Sequence, residues 1–184
     1  MGIAERPSAI QRELQQRLPM ASTREEAFLS LLRTAAVVRR PVTRVLDDRG
    51  LSMAQYNALR ILRGSGDAGL PTLSIRNRMI EDAAGITRLI DKLEEAEYVR
   101  RVRGTTRDRR QVYCRITPSG LDLLRELDPL VALAVEASLV MLAESELEGL
   151  IGVLDRIRAE KAPRARKAAE RRPVADLSKR RSSR

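Results

Sequence analysis

The side chains best suited to chemistry in this chain are basic and hydroxyl groups between positions 70 and 120. The residues from Arg107 to Arg110 place three arginines around one aspartate. Upstream, Thr87, Arg88 and Lys92 are spaced as on one side of a helix. Arginine presents a planar fork of donors that suits phosphate groups and base edges. The pattern therefore favours binding of a nucleic acid.

The residue types that most enzymes need are scarce. The chain has no histidine, the commonest general base and metal ligand, and only one cysteine. No nucleophile–base pair, phosphate-binding loop or metal cluster is visible. We therefore expect a protein that is not an enzyme, has no cofactor and holds no metal.

Helical periodicity indicates which elements position these groups. A helix starting near Asp82, whose side chain can cap it, has one apolar face, and a shorter helix from Pro71 to Ile80 precedes it. Strands over residues 98–103 and 111–117 follow, joined by a basic tip. A helix-turn-helix followed by a basic hairpin is typical of a winged DNA-binding unit. The apolar face of the second helix is formed by Ile86, Leu89, Ile90 and Leu93.

The second strand alternates in polarity. Val112, Cys114 and Ile116 fall on one face, which we expect to point inward. Cys114 is then a small core residue. A lone cysteine cannot form an internal disulfide, which fits a reducing cytoplasm.

Long helices flank this unit on both sides. Thr23 is a plausible N-cap, with Glu26 at capping-box spacing, for an amphipathic helix of about seven turns that ends at Gly50 and contains Pro41. Such a helix needs a partner surface, either a bundle core or a subunit interface. Residues 10–18 favour a short helix before it.

The remaining helix boundaries follow from capping residues. Ser52 and Gln55 have capping-box spacing at the start of the next helix. Thr117 followed by Pro118 is a favoured start for a helix that runs to about residue 142. A last helix is expected over about residues 144–160. The fold class is therefore mainly α with a small β-hairpin wing.

The formal charge of +10 is unevenly distributed. Residues 161–184 contain ten basic and two acidic residues, so the rest of the chain carries about +2. We expect this basic tail to be disordered, because it has too few apolar residues to form a core. It either adds affinity for nucleic acid or only improves solubility.

Two stretches of this sequence resemble the MarR family of bacterial transcription regulators. Residues 86–94, Ile-Thr-Arg-Leu-Ile-Asp-Lys-Leu-Glu, are similar to the family's recognition helix. Arg107-Asp108-Arg109-Arg110, with Val112, Ile116-Thr117 and Gly120-Leu121, resembles its wing and the start of the following helix. The resemblance covers about residues 24–160. It departs at Ala83, Ala84 and Gly85, where members often carry base-contacting polar side chains, and at Tyr98, where members usually have glycine.

The resemblance implies a homodimer on double-stranded DNA. The terminal helices of such proteins interleave, and two winged lobes read a pseudo-palindromic operator. We therefore expect an N-terminal extension over residues 1–22, dimerisation helices over 23–50 and 118–160, a winged helix-turn-helix lobe over 51–117, and the basic tail. Many members release DNA when a small aromatic acid or another ligand binds between the lobes.

Each candidate contact follows from the place of its residue in this scheme. Thr87 and Arg88 are expected to meet base edges in the major groove. Arg110 is expected in a narrow minor groove, with Asp108 orienting a neighbouring arginine. The other candidate DNA-binding residues are Thr72, Ser74, Arg76 and Lys92, expected at phosphates, and Arg107 and Arg109 of the wing tip.

A ligand-binding role is also open for three residues of the first two main helices. Phe28, Met53 and Tyr56 either line a cavity for a small aromatic or other apolar effector or belong to the core. The sequence thus predicts a cytoplasmic, homodimeric transcriptional repressor that does not bind membranes. The alternative is an effector-independent or architectural DNA-binding protein aided by its tail.

Overall fold

The structure is a computed structural model and describes residues 7–81, 83–103 and 111–161. The chain forms two compact units, Met1–Leu139 and Val140–Arg184. Among the described residues, the first unit contains six α-helices and a small sheet, and the second contains one helix. The expected mainly helical winged fold is confirmed.

The N-terminal part of the first unit begins with a short helix, α1 (Ala9–Glu13), and a long one, α2 (Thr23–Asp47). The N-cap of α2 lies one residue before the predicted one. Ser22, in an extended conformation, accepts a 3.2 Å hydrogen bond from the Glu25 amide, so Ser22 and not Thr23 is the N-cap. Pro41 lies inside α2, as the sequence indicated.

Helix α3 (Met53–Gly64) begins with the predicted capping box. Ser52 Oγ accepts from the Gln55 amide at 3.2 Å, and Gln55 Oε1 accepts from the Ser52 amide at 2.9 Å. These two bonds satisfy amides that the first turn of a helix leaves without partners. A short 3₁₀ turn, Gly66–Ala68, follows.

The helix-turn-helix has shorter helices than the sequence predicted. Helix α4 is Thr72–Arg76 rather than 71–80, because the amides of Arg78 and Met79 bond to carbonyls three residues back, which tightens its end. Helix α5 is Ile86–Glu95 rather than starting near residue 82. Its N-cap is Gly85, whose non-helical backbone marks the boundary.

The sheet has three antiparallel strands, β1 (Leu70–Pro71), β2 (Val99–Arg103) and β3 (Val112–Ile116), in the order β1-β3-β2. The sequence predicted only the β2–β3 hairpin. Strand β1 is two residues long and contains a proline, which a sheet tolerates at its edge, so it gave no periodic signal. Gly69 lets β1 approach β3, since its φ is +67° and a Cβ there would lie 2.5 Å from the Cys114 carbonyl oxygen.

The inward face of β3 is only partly as predicted. Cys114 is fully buried, which confirms it as a core residue. Val112, however, is 40% exposed, because it pairs with Arg103 at the open end of the hairpin, beyond the core. Ile116 is half-buried.

Helix α6 (Pro118–Leu139) begins as predicted, with Thr117 Oγ1 accepting from the Gly120 amide at 3.1 Å. The core of the first unit lies where α2, α3, α4, α5, α6 and the sheet meet. Its fully buried large side chains are Leu46, Leu59, Leu62, Ile75, Ile90, Leu93, Val99, Cys114, Leu124 and Leu127.

The second unit contains helix α7 (Glu144–Lys161), close to the predicted bounds. Four of its apolar side chains are exposed, namely Leu150, Ile151, Val153 and Ile157. Among the described residues, no helix is long and apolar enough to cross a membrane.

Candidate nucleic-acid interface

Helix α5 separates an apolar face from a polar one. Ile86, Ile90 and Leu93 are buried in the core. Thr87, Arg88 and Lys92 are exposed to solvent, as their spacing predicted. The buried face fixes the rotation of the helix, and that rotation presents the three polar side chains together.

The start of α5 is a favourable place to meet DNA. Thr87 and Arg88 lie in the first turn, directly after Gly85, which has no side chain to cap the helix. The first amides of a helix carry partial positive charge and suit an anionic partner. In helix-turn-helix proteins, the N-terminal residues of the second helix contact base edges. Thr87 and Arg88 are in such a position.

The three candidates on α4 have different surroundings. Arg76 is exposed, and Ser74 is half-buried. Thr72 is half-buried, and its hydroxyl lies 3.6 Å from Cys114 Sγ on β3. Thr72 therefore also ties α4 to the sheet. Burial raises the pKa of the Cys114 thiol, although the Thr72 contact opposes this.

The wing-tip candidates, Arg107, Asp108, Arg109 and Arg110, lie outside the described residues. The strands that carry the tip are described up to the pair Arg103 and Val112, both of which are exposed. Residues 51–117 contain 13 basic and 8 acidic residues, so this unit is locally positive. A local positive charge is what binding to phosphates requires.

An ion-pair cluster that sequence reasoning missed joins the sheet to α5. Arg101 of β2 donates to Asp91 Oδ1 at 2.6 Å and forms an ion pair with Glu94. The Arg101 amide also donates to Glu94 Oε1 at 2.9 Å. Burial opposes the charge of Arg101, but its hydrogen bonds to Asp91 and Glu94 outweigh burial and raise its pKa. The spacing of the two acids by three residues on one helix was the available signal.

The turn between α4 and α5 is held by contacts from two other helices. Asn57 Oδ1 of α3 accepts a 3.0 Å hydrogen bond from the Ile80 amide. Glu81 forms an ion pair with Arg39 of α2. The turn that leads into α5 is therefore attached to both α2 and α3.

A cavity of about 390 Å³ lies beside this turn. Of the three predicted ligand-binding residues, Met53 borders it. Phe28 is 59% exposed on α2 and Tyr56 is buried in the core, and neither is among the described residues that border the cavity. The described part of its lining is mostly apolar and comprises Arg39, Met53, Ala54, Asn57, Met79, Ile80, Glu81, Ala83, Ala84, Gly85 and Leu89.

Tyr56 belongs to a polar cluster between α3 and α6. Its hydroxyl donates to Asp128 Oδ1 at 2.8 Å, and Arg63 donates to Asp128 Oδ2 at 2.5 Å. Burial and then the bond to Asp128 raise the pKa of Tyr56 to about 12. Burial would raise the pKa of Asp128, but hydrogen bonds from Arg63 and Tyr56 outweigh it and lower that pKa.

Within residues 7–81, 83–103 and 111–161, no group of three or more Cys, Asp or Glu side chains is arranged to hold a metal ion. The described residues form an exposed helix-turn-helix beside an apolar cavity, within a stretch, residues 51–117, that is positive overall.

Known proteins share this architecture. Residues 51–112 match the family model described as the MarR family. The HTH-type transcriptional regulator MhqR of Bacillus subtilis (strain 168) is 28% identical over 130 residues, which are 71% of this chain and 88% of that protein.

Two solved structures extend the likeness. A MarR transcription factor from Planctomyces limnophilus is 37% identical, with a TM-score of 0.57, over 74% of this chain and 98% of its own. Bordetella bronchiseptica BpsR, whose structure concerns regulation of its DNA binding by 6-hydroxynicotinic acid, is 20% identical, with a TM-score of 0.64, over 72% of this chain and 98% of its own. The second likeness concerns the fold alone.

The 37% identity extends over almost the whole of the Planctomyces protein, and the family match covers the helix-turn-helix. Both agree with the resemblance in the recognition helix and with the expectation of a regulator rather than an enzyme. The chain therefore belongs to the MarR family and is a transcription regulator.

Proposed function

We propose that this regulator is a homodimeric repressor that binds a pseudo-palindromic operator and is released by a small effector. The observation that carries the proposal is the first turn of α5, where Thr87 and Arg88 are exposed while the opposite face of the helix is buried. Such a turn can enter a major groove and read base edges.

The proposed phosphate contacts come from both helices of the helix-turn-helix and from the wing tip. Ser74 and Arg76 lie on α4 and Lys92 lies one turn further along α5, and Thr72 is retained as a weaker candidate because its hydroxyl already contacts Cys114. Arg107, Arg109 and Arg110 would follow the flanking minor groove, with Asp108 orienting one of them. Contacts to phosphates fix the register of the protein on DNA, whereas contacts to bases determine the sequence.

The evidence for the proposed dimer is the set of large apolar side chains that are exposed on three helices. Helices α2, α6 and α7 each carry several such residues, more than isolated surface positions would explain. A two-fold interface over residues 23–50 and 118–160 would bury them. The exposed residues are Phe28, Leu31, Leu32 and Val37 on α2, Leu130, Leu133 and Val135 on α6, and the four on α7.

The dimer can be tested by light scattering at micromolar concentration. Leu31→Arg should yield a smaller, folded species, because it places a charge in the proposed interface. Val112→Lys, which changes an exposed residue of the wing, is the control and should leave the size unchanged. A wild-type protein that is a stable, folded monomer would contradict the proposed dimer.

The proposed effector site is the cavity beside the turn. Its volume of about 390 Å³ and apolar lining fit a small aromatic or other apolar molecule. Because Ala83, Ala84 and Gly85 border it, an occupant would push on the segment that leads into α5. BpsR, a protein of the same fold, has its DNA binding regulated by 6-hydroxynicotinic acid.

The effector can be tested by screening small aromatic acids for release of bound DNA. Ala54→Leu narrows the cavity and should abolish the response while the affinity for DNA is retained. The second candidate function is effector-independent or architectural binding, which the basic tail favours. It predicts that no compound changes the DNA-binding curve and that the protein binds selected and shuffled duplexes alike.

The operator itself can be identified by selection from a randomised DNA pool. The proposal predicts an enriched inverted repeat whose half-sites lie about one helical turn apart. Enrichment of no motif would contradict sequence-specific recognition. We also propose that the protein acts in the cytoplasm, because a transcription regulator must reach the DNA that it controls.

A further inference from the structure

Arg101 contacts α5 through three hydrogen bonds. Its guanidinium reaches Asp91 and Glu94, and its amide donates to the second oxygen of Glu94. The Arg101 side chain is only 26% exposed. A lone exposed ion pair contributes little to stability, but a fork shared between two carboxylates and supported by a backbone bond restricts both elements.

The two acids lie on the stripe of α5 that begins with Thr87. Thr87, Asp91 and Glu94 follow one another by four and three residues, so they share a side of the helix. Arg101 therefore contacts the same side that carries a proposed base contact. Any rotation of α5 about its axis would pull against these bonds.

Arg101 also lies close to the root of the wing. Strand β2 ends at Arg103, two residues further on, and Arg101 is paired across the hairpin with the fully buried Cys114. The backbone of β2 is thus held by the core on one side and by α5 on the other. The position of β2 relative to α5 therefore depends on the contacts of Arg101.

We propose that Arg101 is a positioning residue, which clamps the wing strand to the recognition helix so that both meet DNA as one unit. This inference rests on the proposed function, because it assumes that α5 and the wing contact the same duplex. According to this inference, Asp91 and Glu94 help the protein to bind DNA, although their negative charge repels phosphates.

Charge and positioning make opposite predictions for Glu94. Removing an acidic side chain strengthens binding to DNA if only the electrostatic term matters. The clamp predicts the reverse for Glu94, because Arg101 loses two of its three bonds. Glu95 is the matched control: it is the next residue of the same helix, is exposed, and its carboxylate makes no hydrogen bond or ion pair with another described residue.

The experiment measures binding by fluorescence anisotropy to two duplexes. One is selected by the wild-type protein from a randomised pool, and the other is a shuffled duplex of the same composition. Glu94→Ala should bind the selected duplex about tenfold more weakly than wild type, since a hydrogen bond to a charged group is lost. Glu95→Ala should bind it equally or more tightly. On the shuffled duplex, neither variant should be weaker than wild type.

A second pair of variants keeps the charge and changes only the geometry. Arg101→Lys retains the charge but cannot present a fork to two carboxylates, so it should lose selectivity for the selected duplex. Arg100→Lys makes the same change at the exposed neighbouring position and should keep the selectivity of the wild type. Circular dichroism checks that each variant is folded. If Glu94→Ala does not fold, Glu94→Gln is measured in its place.

The outcomes separate the inference from the proposed function. If Glu94→Ala binds the selected duplex as tightly as Glu95→Ala, or Arg101→Lys is as selective as Arg100→Lys, the clamp is wrong while the function stands. If the wild-type protein itself prefers no duplex, sequence-specific binding is wrong. Weakening by Glu94→Ala on both duplexes alike would also overturn the inference, since positioning acts on selectivity.

Discussion

The hydroxyl of Tyr56 donates a 2.8 Å hydrogen bond to Asp128, which links α3 to α6 across the core of the first unit. Arg63 of α3 occupies the other oxygen of the same carboxylate. The guanidinium of Arg60 lies 5.7 Å from the centre of the Tyr56 ring. One acidic side chain thus holds two positions of α3 against the helix that follows the wing.

We expect this link to contribute measurably to stability. Tyr56→Phe removes one hydrogen bond and should lower the free energy of unfolding by about 0.5–1.5 kcal/mol. Asp128→Ala should cost about 1–3 kcal/mol, because it leaves the buried Tyr56 hydroxyl without its acceptor. Urea unfolding at one fixed protein concentration measures both values. Equal stability of wild type and both variants would show that the link is not stabilising.

The same link predicts how stability depends on pH. The pKa of Tyr56 is raised to about 12, so its contribution is complete below its ordinary pKa of 10.0 and is lost as the pH rises towards 12. The pKa of Asp128 is lowered, so its contribution is complete above 3.8 and is lost as the pH falls below that value. The stability difference between wild type and Tyr56→Phe should therefore shrink between pH 10 and 12. The stability difference between wild type and Asp128→Asn should shrink below about pH 4. Differences that stay constant across both ranges would refute these assignments.

Local sequence signals predicted the parts of the fold that depend on neighbouring residues. The capping box of α3 and the two faces of α5 arise within one or two helical turns, so spacing alone identified them. The structure differs where contacts are distant. Strand β1 exists only through its pairing with β3, and the clamp of Arg101 joins residues on separate elements.

The candidate site was predictable to a similar degree. The exposure of Thr87 and Arg88 follows from the helical period, whereas the contact of Thr72 with Cys114 depends on how α4 meets the sheet. The cavity is formed by α2, α3 and the turn before α5 together, so the sequence identified only Met53 among its lining residues. Tyr56 looked equally suitable, but its hydroxyl is directed to Asp128.

The basic tail should add affinity without selectivity. Residues 162–184 carry nine basic and two acidic side chains, which would release counterions from DNA. Deleting them should weaken binding to selected and shuffled duplexes by the same factor and flatten the dependence of affinity on salt. Titrations at several salt concentrations measure both effects. A loss confined to the selected duplex would assign the tail a different role.

The wing should respond to the DNA that flanks the half-sites. Arg110→Ala should lose about 1–3 kcal/mol of binding free energy, most strongly where the flanks are rich in A·T pairs, since a narrow minor groove attracts arginine. The measurement varies flanks and half-sites independently. If Arg110→Ala keeps full affinity on every flank while folded, the wing tip does not act in the minor groove.

The central claim is that the first turn of α5 reads base sequence in the major groove, and Arg88 tests it most directly. The affinities of wild type and Arg88→Ala are measured on a selected duplex and on every single-base change within one half-site. We expect Arg88→Ala to relax discrimination at one or two positions, by about 1–3 kcal/mol, with little change at the others. Arg78→Ala, which alters an exposed arginine on the α4 side of the turn, is the matched control and should leave the discrimination pattern unchanged. If Arg88→Ala instead lowers affinity for all duplexes by one common factor, Arg88 contacts phosphate, and base reading by this turn is contradicted.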